Sequence, residues 1–188
     1  MSESTPRDPS QISDPAKEEF DRGCQFMENN DLSQAANAFH NALLDYKERR
    51  DDKGIANASD KLADVCLARE DYARALPHLE RAMAICEAAN DDFSITALRK
   101  KFAHAYAGMG EHPKALEVNL VLLETYKAFG DPGSAVRTLE AMAKSYLAMQ
   151  NPEKAADALR TAAGIHQSFK HTRHAAELEK RAQELLKA

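Results

Sequence analysis

The stretch "NPEKAADAL", residues 151–159, decides the fold because it recurs along the chain at a fixed step. Residues 111–119 read "EHPKALEVN", residues 71–79 read "DYARALPHL", and residues 31–39 read "DLSQAANAF". Each copy opens with an acidic or amide side chain and carries an alanine at its fifth position. The copies are 40 residues apart, so the chain of 188 residues consists largely of four versions of one unit.

Other positions keep the same step as the shared alanines. Small residues stand twelve positions before them: Gly23, Ala63, Ala103 and Ala143. Large residues stand four positions after them, and only the third of these is polar: Phe39, Leu79, Asn119 and Leu159. A fixed period of this size is typical of a solenoid, in which each unit buries its apolar face only against its neighbours.

Each unit divides into two amphipathic helices joined by a short turn. Before the shared alanine of the second unit, Leu62 and Val65 lie on one face of a helix with 3.6 residues per turn. Asn151 followed by Pro152 is a typical helix start, and Asp71 is expected to cap the equivalent helix. The pattern therefore predicts an all-α fold.

This arrangement resembles the tetratricopeptide repeat family over about residues 14–188. The likeness rests on the small residue, the aromatic position three residues later, and the following alanine and large apolar residue. The resemblance implies a right-handed α-solenoid of four helix-turn-helix repeats plus a C-terminal capping helix. Two features depart from the family: the period is 40 rather than about 34 residues, and Arg22 stands where a large apolar residue is expected.

The register also predicts how the chain is organised. Residues 1–13, rich in Ser, Asp and Pro, are expected to be a disordered tail before a single domain at 14–188. We expect nine helices, with unit bounds at about 14–51, 52–91, 92–131 and 132–171 and a capping helix at about 172–187. The last segment has one apolar stripe among charged residues, which suits a polar-backed cap.

Composition and charge narrow the class of partner. A formal net charge of -5 argues against a nucleic-acid backbone. No stretch approaches the roughly 18 apolar residues needed to span a bilayer, and no secretory signal is visible at the start. Cys24, Cys66 and Cys86 are an odd set without a CxxC pair, which favours reduced thiols. We therefore expect a cytoplasmic protein with neither nucleic-acid nor membrane partners.

Candidate chemical groups are few. His171 and His174 have the spacing of a metal-ligand pair, but no nearby carboxylate or cysteine completes a site. Cys66 stands at the aromatic position of the repeat, so burial as a small apolar residue is the default interpretation. The pairs 51–52 and 91–92 are carboxylates at equivalent positions, which indicates charge complementarity at helix starts rather than acid–base chemistry. We predict no enzyme activity, no cofactor and no metal.

The resemblance implies a concave groove, lined by the first helix of each pair, that binds extended peptides or partner helices. The residues predicted to face it are Phe20, Asn57, Asp60, Asp64, Lys100, His104, Arg137 and Lys144. The last four form a basic end suited to an acidic side chain or a C-terminal carboxylate. Asn57 is suited to bonding a peptide backbone. The alternative is that these positions are solvated faces with scattered charges.

A second candidate surface comes from the third unit. Leu120 and Val121 stand where the first, second and fourth units carry polar or charged residues. Exposed apolar neighbours of this kind mark an interface with a partner or a second copy. The alternative is that the helix at 112–129 rotates slightly, burying Leu120 and turning Asn119 outward.

The sequence thus favours a non-catalytic protein–protein interaction module, a scaffold or adaptor, that binds a protein or peptide partner in its groove. Homodimer formation through the second surface is also open. The alternative function is a regulatory sensor, whose groove binds a small signalling peptide and passes on a change in curvature.

Overall fold

The computed structural model describes residues 14–187, so the predicted tail at residues 1–13 lies outside the described residues. The described part of the chain holds nine α-helices and no strand. Among these nine helices of the described residues, none combines the length with the apolar composition that a bilayer span needs. In chain order the helices are α1 (Pro15–Glu28), α2 (Leu32–Glu48), α3 (Asp52–Ala68), α4 (Tyr72–Ala88), α5 (Asp92–Gly108), α6 (His112–Phe129), α7 (Pro132–Ala148), α8 (Pro152–Ser168) and α9 (Thr172–Leu185).

The helices form a stack of hairpins. Each helix packs mainly on its neighbours in the chain, from α1 against α2 through to α8 against α9. The buried side chains accordingly form four clusters along the stack rather than one central core. Stability in such a stack comes from contacts between successive units. The predicted all-α solenoid of four hairpins and a closing helix is confirmed.

The turns are as regular as the helices. Residues with positive φ recur every 20 positions along the described chain: Asn30, Arg50, Glu70, Asn90, Gly110, Gly130, Gln150 and Lys170. Each stands just after a helix, where a left-handed residue lets the chain reverse while the last carbonyls are bonded. The period of 40 therefore consists of two halves, each a helix and a short turn, as in the 17-residue helix α2.

Most of the described helices have a polar N-cap residue whose side chain accepts a hydrogen bond from a backbone N–H of the first turn. The side chain of Asn151 accepts a hydrogen bond of 3.0 Å from the backbone N–H three residues on, as predicted. Asp51 and Asp91 cap α3 and α5 in the same way, at 2.9 and 3.1 Å, which confirms the role of these recurring carboxylates. The prediction for Asp71 is wrong. It makes no capping bond; its carboxylate lies 3.5 Å from the guanidinium of Arg74.

The repeated small residues lie where two helices of a hairpin approach each other. All four are buried: Gly23, Ala63, Ala103 and Ala143. A Cβ atom added at Gly23 would lie 2.6 Å from ring atoms of Phe39. The small side chain at this position is thus explained by the facing residue on the second helix.

Candidate peptide-binding groove

The odd-numbered helices present one shared surface. Lys101 on α5 reaches both Asp60 and Asp64 on α3, with Nζ 2.6 Å from each carboxylate. Further along the stack, Arg181 on α9 pairs with Glu140 on α7 at 3.0 Å. Side chains of successive first helices are therefore neighbours. This is the geometry that a groove lined by first helices requires.

A pocket of about 520 Å³ lies on this surface between α5, α6 and α7. Its volume falls within the usual range for ligand pockets, about 300–1,000 Å³. Small side chains on α5 and α7, such as Ala107 and Ala141, leave the space between these two helices open. Four of the predicted groove residues line this pocket together: Lys100 and His104 from α5, with Arg137 and Lys144 from α7.

Lys100, Arg137 and Lys144 make this pocket basic, although the net charge of the chain is -5. We refer to it as the basic pocket. Lys100, Arg137 and Lys144 are exposed, and none of them forms an ion pair within the described part of the chain. The Arg137 guanidinium donates to Ser134 Oγ at 2.8 Å, which restrains its orientation. No Asp or Glu is among the described residues that line the pocket. Cations around a pocket without acidic groups attract an anionic ligand.

The inner part of the basic pocket is polar. Asn119 on α6 is only 5% exposed and Ser145 on α7 only 2%. Thr138 Oγ1 donates to the backbone carbonyl of Ser134 at 2.9 Å. The side-chain amide of Asn119, in contrast, forms no hydrogen bond with any described residue, although the residue lines the pocket. Its bonding groups are therefore available to a ligand.

Sequence reasoning missed Asn119 as a pocket residue, although its position carried a signal. It is the single polar residue at a position that is otherwise large and apolar. The expectation that α6 rotates to bury Leu120 and expose Asn119 is wrong, because Leu120 is 53% exposed and Val121 is 46% exposed. The helix keeps the register of the other second helices, since it buries Leu122 and Tyr126 at the positions where α4 buries Ala82 and Cys86.

The other predicted groove residues lie outside the basic pocket. Phe20 packs against the first buried cluster, so much of its ring is in the core. Asn57 is exposed on α3. The carboxylates of Asp60 and Asp64 are bound by Lys101, a residue that the sequence register did not select. The acidic part of the groove is therefore largely neutralised, which leaves the basic end as its main charged feature.

The histidine pair at the start of α9 has a third neighbour. Nδ1 of His166 lies 3.4 Å from Nδ1 of His171, and the rings of His166 and His174 stack with centroids 5.2 Å apart. Even so, no group of three His, Cys, Asp or Glu side chains in the described residues is arranged to hold a metal ion. The three histidines therefore form a set of packed rings.

The three cysteines are poorly suited to nucleophilic chemistry. Burial raises the pKa of the thiols of Cys24, Cys66 and Cys86. A raised thiol pKa lowers the fraction of thiolate, which is the reactive form. All three thiols are free, and their environments favour a packing role.

Comparison with known proteins finds the same type of helical repeat elsewhere. Residues 58–92, which run from within α3 through the whole of α4 to the first residue of α5, match the model of the tetratricopeptide repeat. No curated protein sequence is significantly similar to the chain.

Solved structures share the architecture at low sequence identity. RapI in its apo form aligns with a TM-score of 0.74 and 17% identity over 90% of this chain, which spans 63% of RapI. A protein assigned as a kinesin light chain in Podosopora anserina, with nearly identical TPR-like repeats, gives 0.69 and 15%, covering 93% of this chain and 97% of that one. Aspartyl phosphate phosphatase F from Bacillus subtilis gives 0.61 and 13%, covering 92% of this chain and 49% of the phosphatase. At these identities the likeness concerns the fold alone.

Proposed function

Because the chain is a tetratricopeptide-repeat protein, we propose that it is a non-catalytic scaffold or adaptor that binds a peptide or a partner helix in its concave groove. The observation that carries the proposal is the basic pocket between α5, α6 and α7, with its unpaired cations and no acidic lining. The chemistry of this pocket fits an acidic segment of a partner protein.

The cations supply the attraction and the helices supply the shape. Lys100 and Lys144 would hold carboxylates by charge-assisted hydrogen bonds, which are stronger than neutral ones. Arg137 is already oriented by Ser134, so less side-chain entropy is lost when it binds. Alanines of the same pocket, such as Ala107 and Ala141, offer contact to the apolar parts of the ligand.

Charge reversal in the pocket tests the proposal. We expect the double variant Arg137→Glu with Lys144→Glu to weaken binding of acidic peptides at least about tenfold, because two attractive contacts become repulsive. Titration calorimetry with a panel of acidic and neutral peptides measures the change. The matched control is Lys47→Glu with Lys170→Glu, which alters net charge equally at exposed positions outside the pocket. Equal affinity of the wild type and the pocket variant would overturn the proposal.

The sensor function differs from the scaffold function in one measurable respect. A sensor must change its curvature when the peptide binds, because the ligand can act only through a difference between two states. We expect small-angle X-ray scattering to give the same radius of gyration before and after saturation with peptide. A clear change in radius would favour the sensor.

Self-association through Leu120 and Val121 and a cytoplasmic location remain predictions. The exposure of both side chains meets the first condition for such an interface.

A further inference from the structure

A second pocket lies on another side of the stack, between the second helices α6 and α8. Its volume is about 460 Å³. Half-buried Leu123 from α6 and Ile165 from α8 line it, together with Ala135 and Leu139, which are buried on α7. Among the described residues, Tyr126 alone lines both this pocket and the basic pocket. We call the second one the α6–α8 pocket.

The repeat register indicates why the α6–α8 pocket is open. Ala135 stands where the second and third units carry Ile55 and Ile95. Ile95 is buried in the core of its unit, whereas the shorter side chain of Ala135 leaves space between the helices unfilled. Atoms that line such a space lack packing partners on one side. An apolar side chain that enters the pocket is therefore favourable.

The same face of α6 carries an apolar side chain that suits such a pocket. Leu120 is 53% exposed, and it precedes Leu123 and Glu124 by three and four positions. Residues at this spacing lie on one face of a helix, and both of these residues line the α6–α8 pocket. In a symmetric dimer the same patch of both copies meets itself. An exposed leucine beside an open pocket is therefore complementary to a second copy of the chain.

The charges of α6 determine how two copies can face each other. Glu117, Glu124 and Lys127 are exposed, and their side chains form no ion pair within the described part of the chain. Consider two antiparallel α6 helices related by a twofold axis level with Leu122. Residues equally far from Leu122 then face each other, so Glu117 meets Lys127 of the second copy. Leu120 meets Glu124 of the second copy, at the edge of its α6–α8 pocket.

A different position of the axis brings like charges together. If the axis moves by about half a turn towards the start of α6, Glu117 faces Glu124 of the second copy. Lys114, which is also exposed, then faces Lys127. Like charges placed opposite each other disfavour an arrangement. The axis level with Leu122 is therefore favoured by the charges as well as by the pocket.

We propose that two copies of this chain associate through antiparallel α6 helices, and that Leu120 of each copy enters the α6–α8 pocket of the other. Glu117 of each copy pairs with Lys127 of the other. A contact made by so few helices is small for an obligate dimer, so the association depends on concentration. The inference goes beyond the proposed function, because the cations of the basic pocket take no part in the contact.

Charge exchange across the axis tests the pairing. In sedimentation equilibrium we expect Glu117→Lys and Lys127→Glu each to weaken self-association at least about tenfold, because both symmetry-related pairs become repulsive. The double variant restores both pairs with exchanged signs, and we expect its association constant to return close to that of the wild type. Glu28→Lys makes the same change at an exposed position of α1 and is the control.

The two single variants also give a test when they are mixed. In a heterodimer of Glu117→Lys with Lys127→Glu, both pairs across the axis join opposite charges, so we expect the mixture to associate more strongly than either variant alone. A double variant that associates as weakly as the single ones, or a mixture without heterodimers, would overturn the proposed pairing.

Two further variants test the insertion of Leu120. Leu120→Ala shortens the inserted side chain, and we expect at least about tenfold weaker association because the change acts twice in a symmetric dimer. Ala135→Ile fills the pocket with the residue of the second and third units, and we expect the same loss without a lower melting temperature. Leu44→Ala is the control at an exposed position of α2. Unchanged association of Leu120→Ala would overturn the insertion, whether or not Ala135→Ile folds.

Other occupants of the α6–α8 pocket give a different result. A wild type that keeps the mass of the 20.8 kDa chain at millimolar concentration would contradict the proposal. If this monomer enhances the fluorescence of anilinonaphthalene sulfonate and Ala135→Ile does not, the pocket binds a small apolar molecule instead of Leu120. Peptide binding in the basic pocket is measured separately, so the proposed function and this inference can fail independently of each other.

Discussion

Facing residues in a hairpin are matched in size. Gly23 faces Phe39 so closely that a Cβ atom would lie 2.6 Å from the ring. In the second unit the equivalent residues are Ala63 and Leu79, both buried in one cluster. A larger second-helix residue thus goes with a smaller first-helix residue, and the two positions form one packing unit.

We expect Gly23→Ala to lower the free energy of unfolding by about 1–3 kcal/mol, because the added methyl group overpacks against the ring. Gly23→Ala combined with Phe39→Leu recreates the pair found in the second unit and should be more stable than additivity of the single changes predicts. Urea unfolding measures all three variants.

The control for this cycle is Gly164→Ala. A Cβ atom there meets nothing within 4 Å, so we expect a gain of about 0.5–1 kcal/mol from helix propensity alone. Strictly additive single changes at Gly23 and Phe39 would contradict the packing account.

At the scale of the helix, the capping carboxylates set part of the pH dependence. Hydrogen bonds from the hydroxyl and the backbone N–H of Ser134 lower the pKa of Asp131 below its ordinary value of 3.8. Ser94 does the same for Asp91. A carboxyl whose pKa is lower in the folded state stabilises the fold above the ordinary pKa and loses that effect as the pH falls through the folded value.

We therefore expect Asp131→Ala to be less stable than the wild type at neutral pH, with a difference that closes as the pH falls below about 4. Thermal unfolding between neutral and acidic pH measures the difference. Asp71→Ala is the matched control, because Asp71 precedes α4 without making a capping bond. We expect a smaller effect from it at neutral pH. A stability difference for Asp131→Ala that persists unchanged into acid would contradict the account.

Some features of the individual helices could be predicted from the sequence and others could not. Helix starts were predictable at Asn151 because an amide before a proline satisfies the free N–H groups locally. The absence of a cap at Asp71 was not predictable, because Asp71 stands at the same kind of helix start as Asp51 and Asp91, which do cap their helices. The environment of Asn119 was likewise hidden, since it depends on the space left between α5 and α7.

At the scale of the whole molecule, the period alone predicted the solenoid. Units that bury their apolar faces only against neighbours must stack, whatever side chains fill the interfaces. The register also placed Lys100, His104, Arg137 and Lys144 on one surface, which the structure groups around one pocket. It did not predict that Lys101 would neutralise the acidic stretch, because a salt bridge between units depends on the distance between two first helices.

Two apolar side chains of α6, Leu120 and Val121, are exposed. They lead to a prediction about self-association. If Leu120 and Val121 form an interface between two copies, the wild type will have a solution mass above that of the 20.8 kDa chain at high concentration. We expect Leu120→Glu to shift the mass to that of a monomer in sedimentation equilibrium, because a buried unpaired charge disrupts an apolar interface. Leu44→Glu is the control, since Leu44 is 46% exposed on α2. Identical masses for the wild type and Leu120→Glu would contradict the interface.

The central claim is that a peptide occupies the concave pocket between α5, α6 and α7. The most direct measurement is an NMR titration of the ¹⁵N-labelled protein with the acidic peptide that binds most tightly in the calorimetric panel. We predict that the shifted backbone amides cluster around Lys100, Asn119 and Lys144, and that those of α2 and α8 stay in place. Shifts centred on Leu120 and Val121, or no shifts at saturating peptide, would contradict the account.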